Sequence, residues 1–201
     1  MKKEVIIVTL NLAMFSAHLT AETQMDFYNI DASEVQIKVK EARSHAKALG
    51  SALKSRLQQA IQTGGLEAGV KECQLAAEPI ANQLSQNGWQ VGRTALKVRN
   101  SNNAPDKWES EQLALFSNLL TKANADNSMV NKPLESYQYN SDSGEFRYMM
   151  AIEQGQICMA CHGEQITPSV KQTILQYYPD DQATGFKLGE LRGAFTLSYK
   201  P

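Results

Sequence analysis

Cys158, Cys161 and His162 form a C-x-x-C-H run, Cys158-Met159-Ala160-Cys161-His162, which constrains this chain more than any other feature of its sequence. Two thiols about one helical turn apart can add across the two vinyl groups of haem, and the next residue then places an imidazole beneath the iron. A bare C-x-x-C would also suit a redox dithiol, half of a zinc site or a disulfide, but the fixed histidine favours haem. The run therefore predicts one covalent haem c on Cys158 and Cys161, with His162 as the proximal iron ligand.

The N-terminus has the three regions of a secretory signal peptide. Lys2 and Lys3 form a basic start, residues 5–15 are mostly apolar, and residues 19–21 end in an alanine at the expected cleavage point. The apolar run is too short to span a bilayer. Because bacterial haem c is attached outside the cytoplasm, we expect residues 1–21 to be removed after export through the Sec pathway. Residues 22–201 are then expected to form a single periplasmic domain without stable membrane insertion.

The composition is that of an ordinary soluble globular protein. The chain is 42% hydrophobic and 20% charged, and its formal net charge is −1. A charge this close to zero gives no electrostatic reason to expect a nucleic-acid partner.

The hydrophobic periodicity predicts an α+β domain with long helices at its start. One helix should begin at residues 31–33 and end at residues 64–65, and a second, kinked or shortened by Pro79, should end near Gly88. The remaining predicted elements are a strand from Trp89 to about Val98 with a possible bulge at Gly92, a helix from Pro105, a hairpin of strands 137–139 and 146–152 around a turn at 141–144, a helix from Pro168 to about Tyr177, and a last strand over 191–199.

Cys73 is the third cysteine and lies in the middle of the apolar face of the second helix. An unpaired thiol is a liability in an oxidising compartment, so Cys73 is expected either to be buried as an apolar side chain or to bind a metal. Other candidates for a second iron ligand are few. His45 is expected to be solvated on the polar side of its helix, and Met159 is held inside the attachment loop. Met149 and Met150, on a predicted strand, remain open alternatives.

Two further sets of residues are candidates for contact with the haem. Arg93, Lys97 and Arg99 alternate along a predicted strand, where arginines can bind the propionates through paired hydrogen bonds or simply form a solvated face. Tyr148 begins the stretch 148–152, which leads into the attachment loop and is expected to wall the haem pocket.

The segments that carry a resemblance to a known family are residues 72–73, 76–81, 91–100, 103–105, 108–109, 148–152, 158–163 and 177–193. Together they resemble a bacterial family of haem c proteins, a domain of unknown function known from a cyanobacterial c-type cytochrome with a PAS-like fold. Related domains form the extracytoplasmic sensor part of membrane histidine kinases. The resemblance implies a PAS-like antiparallel sheet, and it implies that the Cys73 thiolate is the second axial ligand opposite His162. Ala95 and Ser101 stand where the family usually has Ser and Pro, and neither is a proposed ligand.

These expectations point to a low-potential, periplasmic mono-haem cytochrome that carries single electrons to or from a redox partner protein. A thiolate opposite His162 stabilises ferric iron, which lowers the potential. The alternative is a haem-based redox or gas sensor that signals through a separate partner such as a membrane receptor, since release of Cys73 would free a coordination position. An enzyme is not expected, because catalysis needs an open iron position and distal acid–base groups, and histidines are scarce.

Overall fold

The computed structural model describes residues 10–126, 128 and 133–201, and the side chains from residue 32 onward within these ranges. The chain separates into two compact units, one ending at Lys40 and one spanning Glu41–Pro201, and the second contains every candidate site residue. The start of the predicted signal peptide, residues 1–9, lies outside the described residues, and cleavage at residue 21 stays a prediction.

The first helix, α1 (Leu10–Leu84), is broken once, at Gly65. The φ of 79° and ψ of −172° at Gly65 are accessible mainly to glycine, so the predicted break at this point is confirmed. The predicted start near residue 31 was wrong, because α1 continues through it; a capping residue is only a weak signal when its neighbours favour helix. The second part of α1, after Gly65, continues through Pro79 without a break. It ends at Leu84, four residues before the predicted end near Gly88.

Four strands form one antiparallel sheet in the order β1-β4-β3-β2, which confirms the α+β class: β1 (Trp89–Thr94), β2 (Glu135–Tyr139), β3 (Phe146–Glu153) and β4 (Leu191–Tyr199). The hairpin β2–β3 and the last strand β4 follow the predicted boundaries closely. β1 is shorter than predicted, because the chain leaves the sheet at Ala95, whose amide donates to the Asn103 carbonyl. Gly92 pairs regularly with Thr196, so the predicted bulge at Gly92 was wrong.

Helix α2 (Lys107–Ala125) covers one face of the sheet, here called the α2 face. The helix starts after Pro105, because the Asp106 carboxylate accepts a hydrogen bond from the Glu109 amide (2.9 Å) and the Glu109 carboxylate accepts one from the Asp106 amide (3.0 Å). The residues that pack together on this face are Leu113, Phe116, Met149 and Ala194.

Residues 41–64 of α1 lie against the opposite face, the α1 face. A Cβ on Gly50 would be only 2.8 Å from Cζ of the Phe195 ring, so this glycine allows the helix to approach the sheet closely. At the start of β1, the His45 ring contacts the Trp89 ring, with the two ring centroids 5.3 Å apart. His45 is half-buried, so it is only partly solvated, because Trp89 covers part of its ring.

Two short helices follow the sheet hairpin: α3 (Met159–His162) and α4 (Pro168–Tyr177). α4 has the predicted boundaries, with Thr167 at the N-cap and Pro168 in the first turn. Val170 and Ile174 of α4 pack against Val70, which attaches α4 to the second part of α1. No helix in the described part of the chain is both long and apolar enough to cross a membrane.

Candidate functional site

The C-x-x-C-H run occupies a compact turn that follows β3, residues 156–163, here called the attachment turn after the haem attachment predicted from the sequence. Cys158 closes a 3-10 turn, Gln156–Cys158, while Cys161 and His162 lie on the single turn of α3. Gly163 ends the helix, and a Cβ there would lie 2.5 Å from the Met159 carbonyl oxygen. The chain can therefore leave the turn only because residue 163 has no side chain, and both thiols and the imidazole remain within one short segment.

The His162 ring is held in a single orientation by the backbone. Its Nδ1 lies 2.7 Å from the carbonyl oxygen of Ala183. A carbonyl oxygen can only accept a hydrogen bond, so Nδ1 carries the proton and Nε2 keeps a lone pair for a metal. Burial, together with the charges of Arg192 and Arg99, holds the pKa of His162 well below its usual range. The imidazole is therefore neutral near pH 7, as a metal ligand must be.

Arg99 links the attachment turn to the segment that holds His162. Its Nε and Nη2 atoms donate to the two Asp181 carboxylate oxygens at 3.0 and 3.1 Å, and Nη2 also donates to the Cys161 carbonyl at 2.7 Å. Asp181 in turn accepts from the Ala183 amide at 3.0 Å, as a turn-capping aspartate does. Arg99 was predicted to lie on the same strand as Arg93. Instead, β1 ends at Thr94, and the Arg99 guanidinium binds Asp181 and the Cys161 carbonyl, which stabilises this turn.

The residues after Ala183 run beside the motif as a short parallel bridge. Gly185 donates to the Gly163 carbonyl and Phe186 to the His162 carbonyl, each at 3.0 Å. Gln154, at the end of β3, bonds through its backbone to Gly189 (2.9 Å) and Glu190 (2.8 Å). The 181–190 segment therefore holds the attachment turn through backbone hydrogen bonds.

Cys73 reaches this site from the second part of α1. Val70 of the same helix packs in one cluster with Cys161, and a spacing of three residues puts Cys73 on the same face of the helix as Val70. Besides burial, Cys158 contributes to raising the pKa of Cys73, and both Cys73 and Cys158 contribute to raising that of Cys161, so the three sulfurs lie near one another. All three cysteines are free. Tertiary structure thus brings Cys73 together with a motif about eighty-five residues further along the chain.

Positive charge surrounds the thiols. Burial raises the pKa of Cys73, whereas the Arg93 and Arg99 guanidiniums act in the opposite direction. Burial also lowers the pKa of Arg93, and it lowers that of Arg192 to about 10 with the help of the neighbouring Arg99 and Arg93. Nearby, burial and the Cys73 charge raise the pKa of Tyr178 to about 12. The arginines and Cys73 influence each other and therefore share one region.

The side chains of this region are partly withdrawn from solvent. Cys73, Cys161, Arg93 and Arg192 are all half-buried, and burial is the largest influence on the pKa of each.

The strand register places Met149 and Met150, the two alternative candidates for the second iron ligand, on opposite faces of the sheet. Arg93, Phe195 and Met150 pair directly across three strands, so they form one row on the α1 face. Met149 is completely buried on the α2 face, against Leu113, and is directed away from the Arg93 row. Of this pair only Met150 remains on the face that Arg93 occupies.

Tyr148 and His45 make their contacts with residues outside the region around the C-x-x-C-H run. The Tyr148 ring is fully buried, and its hydroxyl donates to the Glu135 carboxylate at 2.6 Å. Arg43 pairs with the same carboxylate. His45 contacts Trp89, which lies four residues before Arg93 on β1, or about 13 Å along the strand. Tyr148 is on the same face as Met150, two residues before it on β3.

Three residues of the site had no role in the sequence-based prediction, although all three lie within the segment 177–193 that resembles the family. Arg192 and Tyr178 join the charged region, and Ala183 provides only a backbone oxygen. No motif marks any of them, because each acts through a position that tertiary folding creates. Among the residues that the structure describes, no group of three or more His, Cys, Asp and Glu side chains is placed to hold a bare metal ion.

The fold and the site define a class: an α+β protein with two thiols and a neutral imidazole on one turn, faced by a third thiol and by arginines. The chain belongs to the Tll0287-like family, whose model matches residues 13–199. This confirms the family resemblance predicted from the sequence. Among solved structures, the chain is similar to the cyanobacterial heme-protein Tll0287, with 23% identity, coverage of 84% of this chain and 95% of that chain, and a TM-score of 0.49. No curated protein matches it.

Proposed function

We propose that this chain is an exported, periplasmic c-type cytochrome that carries single electrons, with one haem c bound covalently to Cys158 and Cys161. The observation that carries the proposal is the neutral His162 imidazole, whose Nδ1 is bonded to Ala183 so that Nε2 is available on the same turn as two free thiols. When bound, haem supplies one-electron exchange between ferric and ferrous iron. The name of the solved relative, a heme-protein, agrees with this proposal. The proposal includes a PAS-like architecture for the four-stranded antiparallel sheet and its helices.

The proposed axial ligands are Nε2 of His162 and the Cys73 sulfur. Cys73 is a candidate because it shares a helix face with Val70, which belongs to the hydrophobic cluster that Cys161 packs against. A thiolate ligand favours ferric iron and predicts a low potential. The positive charges of Arg93 and Arg99 near the sulfur would balance the charge of that thiolate.

The bonds around the motif suit a carrier, because they limit movement when an electron arrives. Arg99 holds the Cys161 carbonyl, and Phe186 holds the His162 carbonyl. A rigid ligand set lowers the cost of switching between two charge states, which an electron carrier must do in every cycle.

A second candidate, a redox or gas sensor, is favoured by the origin of the two proposed ligands. His162 lies on α3, whereas Cys73 lies on α1 just after the break at Gly65. Loss of the Cys73 bond on reduction would therefore free a helix that a partner protein or receptor could detect.

The first test is the mass and colour of the secreted protein. The full chain is produced in a bacterial host with haem c attachment machinery, and the periplasmic product is analysed by intact mass and absorption. We expect red protein that begins near residue 22, with a mass equal to that chain plus one haem. Replacement of Cys158 and Cys161 by alanine is the matched control and should abolish attachment. Colourless wild-type protein with the mass of the bare chain would contradict the proposal.

The second test separates the carrier from the sensor. Voltammetry combined with absorption spectra should show reversible one-electron cycling with the same ligands in both states if the chain is a carrier. A change of ligand on reduction, with uptake of CO by the ferrous form, would favour the sensor instead.

A further inference from the structure

Arg192 is the extra residue of a β-bulge between β3 and β4. Ile152 pairs with Gly193, but the next residue, Glu153, pairs with Leu191, so Arg192 has no partner on β3. A bulge bends its strand and changes the direction of the side chain at that position. The other residues of β4 alternate between the α1 and α2 faces, and Arg192 departs from this alternation at the end of the sheet nearest the attachment turn.

The bulge brings the Arg192 guanidinium next to the motif. Its Cζ lies 5.3 Å from the centre of the Phe186 ring, and the Phe186 amide donates to the His162 carbonyl. One further polar contact, from Nη1 to the Lys97 carbonyl, is long at 3.5 Å. The guanidinium therefore lies beside Phe186, the residue whose amide holds the end of the attachment turn.

The positive charges in this region outnumber the carboxylates that pair with them. Besides burial, the charges of Arg99 and Arg93 contribute to lowering the pKa of Arg192, and Asp181 binds Arg99 through both of its oxygens. Among the residues that the structure describes, no carboxylate lies within ion-pair distance of Arg93 or Arg192. Cations that lose hydration without gaining an anion are costly, and such sites in folded proteins are normally paired. Two guanidiniums thus lack their anions in the protein alone.

We infer that Arg93 and Arg192 form a seat for a ligand with two carboxylates, and that these are the two haem propionates. This step rests on the proposed function. It assigns to Arg192 the role that the sequence suggested for Arg99, because Arg99 already binds Asp181 and the Cys161 carbonyl. Guanidinium groups bind carboxylates through paired, charge-assisted hydrogen bonds, so the seat would fix the rotation of the porphyrin in its plane.

The test compares Arg192→Gln and Arg93→Gln with Arg147→Gln, a control on the α2 face of the sheet. Intact mass first establishes that each variant carries its haem, and failure of attachment in the wild type would sink the proposed function rather than this inference. Two readouts follow on the loaded proteins: the propionate bending band in the resonance Raman spectrum of the ferrous form, and the midpoint potential.

We expect Arg192→Gln and Arg93→Gln each to shift the propionate band and to lower the midpoint potential, because loss of a nearby positive charge favours ferric iron. Arg192→Lys should restore the potential but not the band, since lysine keeps the charge and loses the paired hydrogen bonds. If Arg192→Gln yields no loaded protein, Arg192→Lys carries the test through the band alone. A band and potential unchanged in the Arg192 variants would overturn the inference, as would a larger band shift in Arg99→Gln than in Arg192→Gln.

Discussion

Nδ1 of His162 donates a 2.7 Å hydrogen bond to the carbonyl of Ala183, and Ala183 belongs to a turn that Asp181 holds against Arg99. The direction of Nε2 therefore depends on residues about twenty positions beyond the motif. Partners of this kind set the tautomer and orientation of a ligating histidine and raise its basicity. The Arg99–Asp181 pair thus supports the functional group without contacting it.

Asp181→Asn should destabilise the protein strongly. Asp181 is only 3% exposed and Arg99 11%, so loss of the carboxylate leaves a mostly buried guanidinium without its partner. We expect the free energy of unfolding in urea to fall by about 3 kcal/mol. Asp180→Asn is the matched control, because Asp180 is the adjacent residue and its side chain is exposed. This substitution should change the free energy of unfolding by under about 0.5 kcal/mol. Equal losses in the two variants would show that the pair does not stabilise the turn.

Cys73→Ser should change the ligand field of the proposed haem while leaving it attached. The ferric protein is expected to give a low-spin thiolate signal by EPR, and this signal should disappear in the variant. Leu75→Ser, at an exposed position of the same helix, controls for a polar substitution in α1. Identical spectra of the wild type and Cys73→Ser would remove Cys73 from the iron and make Met150 the next residue to replace.

Gly163→Ala should disturb the attachment turn. The added Cβ would lie 2.5 Å from the Met159 carbonyl oxygen, which is backbone and cannot rotate away. We expect a loss of about 2 kcal/mol of stability, seen as a lower melting temperature by circular dichroism. Gly92→Ala is the comparison, because its nearest contact would be 3.8 Å and β1 is regular there. A melting temperature for Gly163→Ala as high as that of Gly92→Ala would argue against a tight turn.

Glu135→Gln should remove a pH-dependent part of the stability. Hydrogen bonding from Arg43 holds the pKa of Glu135 below its usual value near 4.5. A carboxyl group whose pKa is lowered by folding stabilises the protein above its unfolded pKa, and this contribution is lost as the pH falls through the folded value.

The free energy of unfolding of the wild type should therefore exceed that of Glu135→Gln by about 1 kcal/mol at pH 7. This figure is kept small because Arg43 is 40% exposed and solvent screens its charge. The difference should shrink progressively below about pH 4.5. Urea unfolding across this pH range measures it. Glu145→Gln, whose partner Lys200 is mostly exposed, should show little difference at any pH. A gap between wild type and Glu135→Gln that stays constant down to pH 3 would count against this reading.

The elements that the sequence predicted correctly depend on local chemistry. Gly65 breaks α1 because only glycine adopts its backbone conformation readily, and Thr167 with Pro168 starts α4. The errors arose where a local signal was overridden. The capping residues near position 31 lie inside a helix, and the alternating pattern after Thr94 continued past the end of β1. Local preferences amount to fractions of a kcal/mol per residue, less than the packing that competes with them.

For the site, the sequence alone determined which groups share one turn: Cys158, Cys161 and His162 are too close in the chain to be separated by any fold. Tertiary structure decided what surrounds them. It brought Cys73 to the motif from α1 and turned Met150 and not Met149 towards the Arg93 row. Because β1 ends before Arg99, it also left Arg99 to bind Asp181 and the Cys161 carbonyl. Helix packing and strand register set these contacts, and both depend on partners far away in the chain, which a local pattern of residues does not encode.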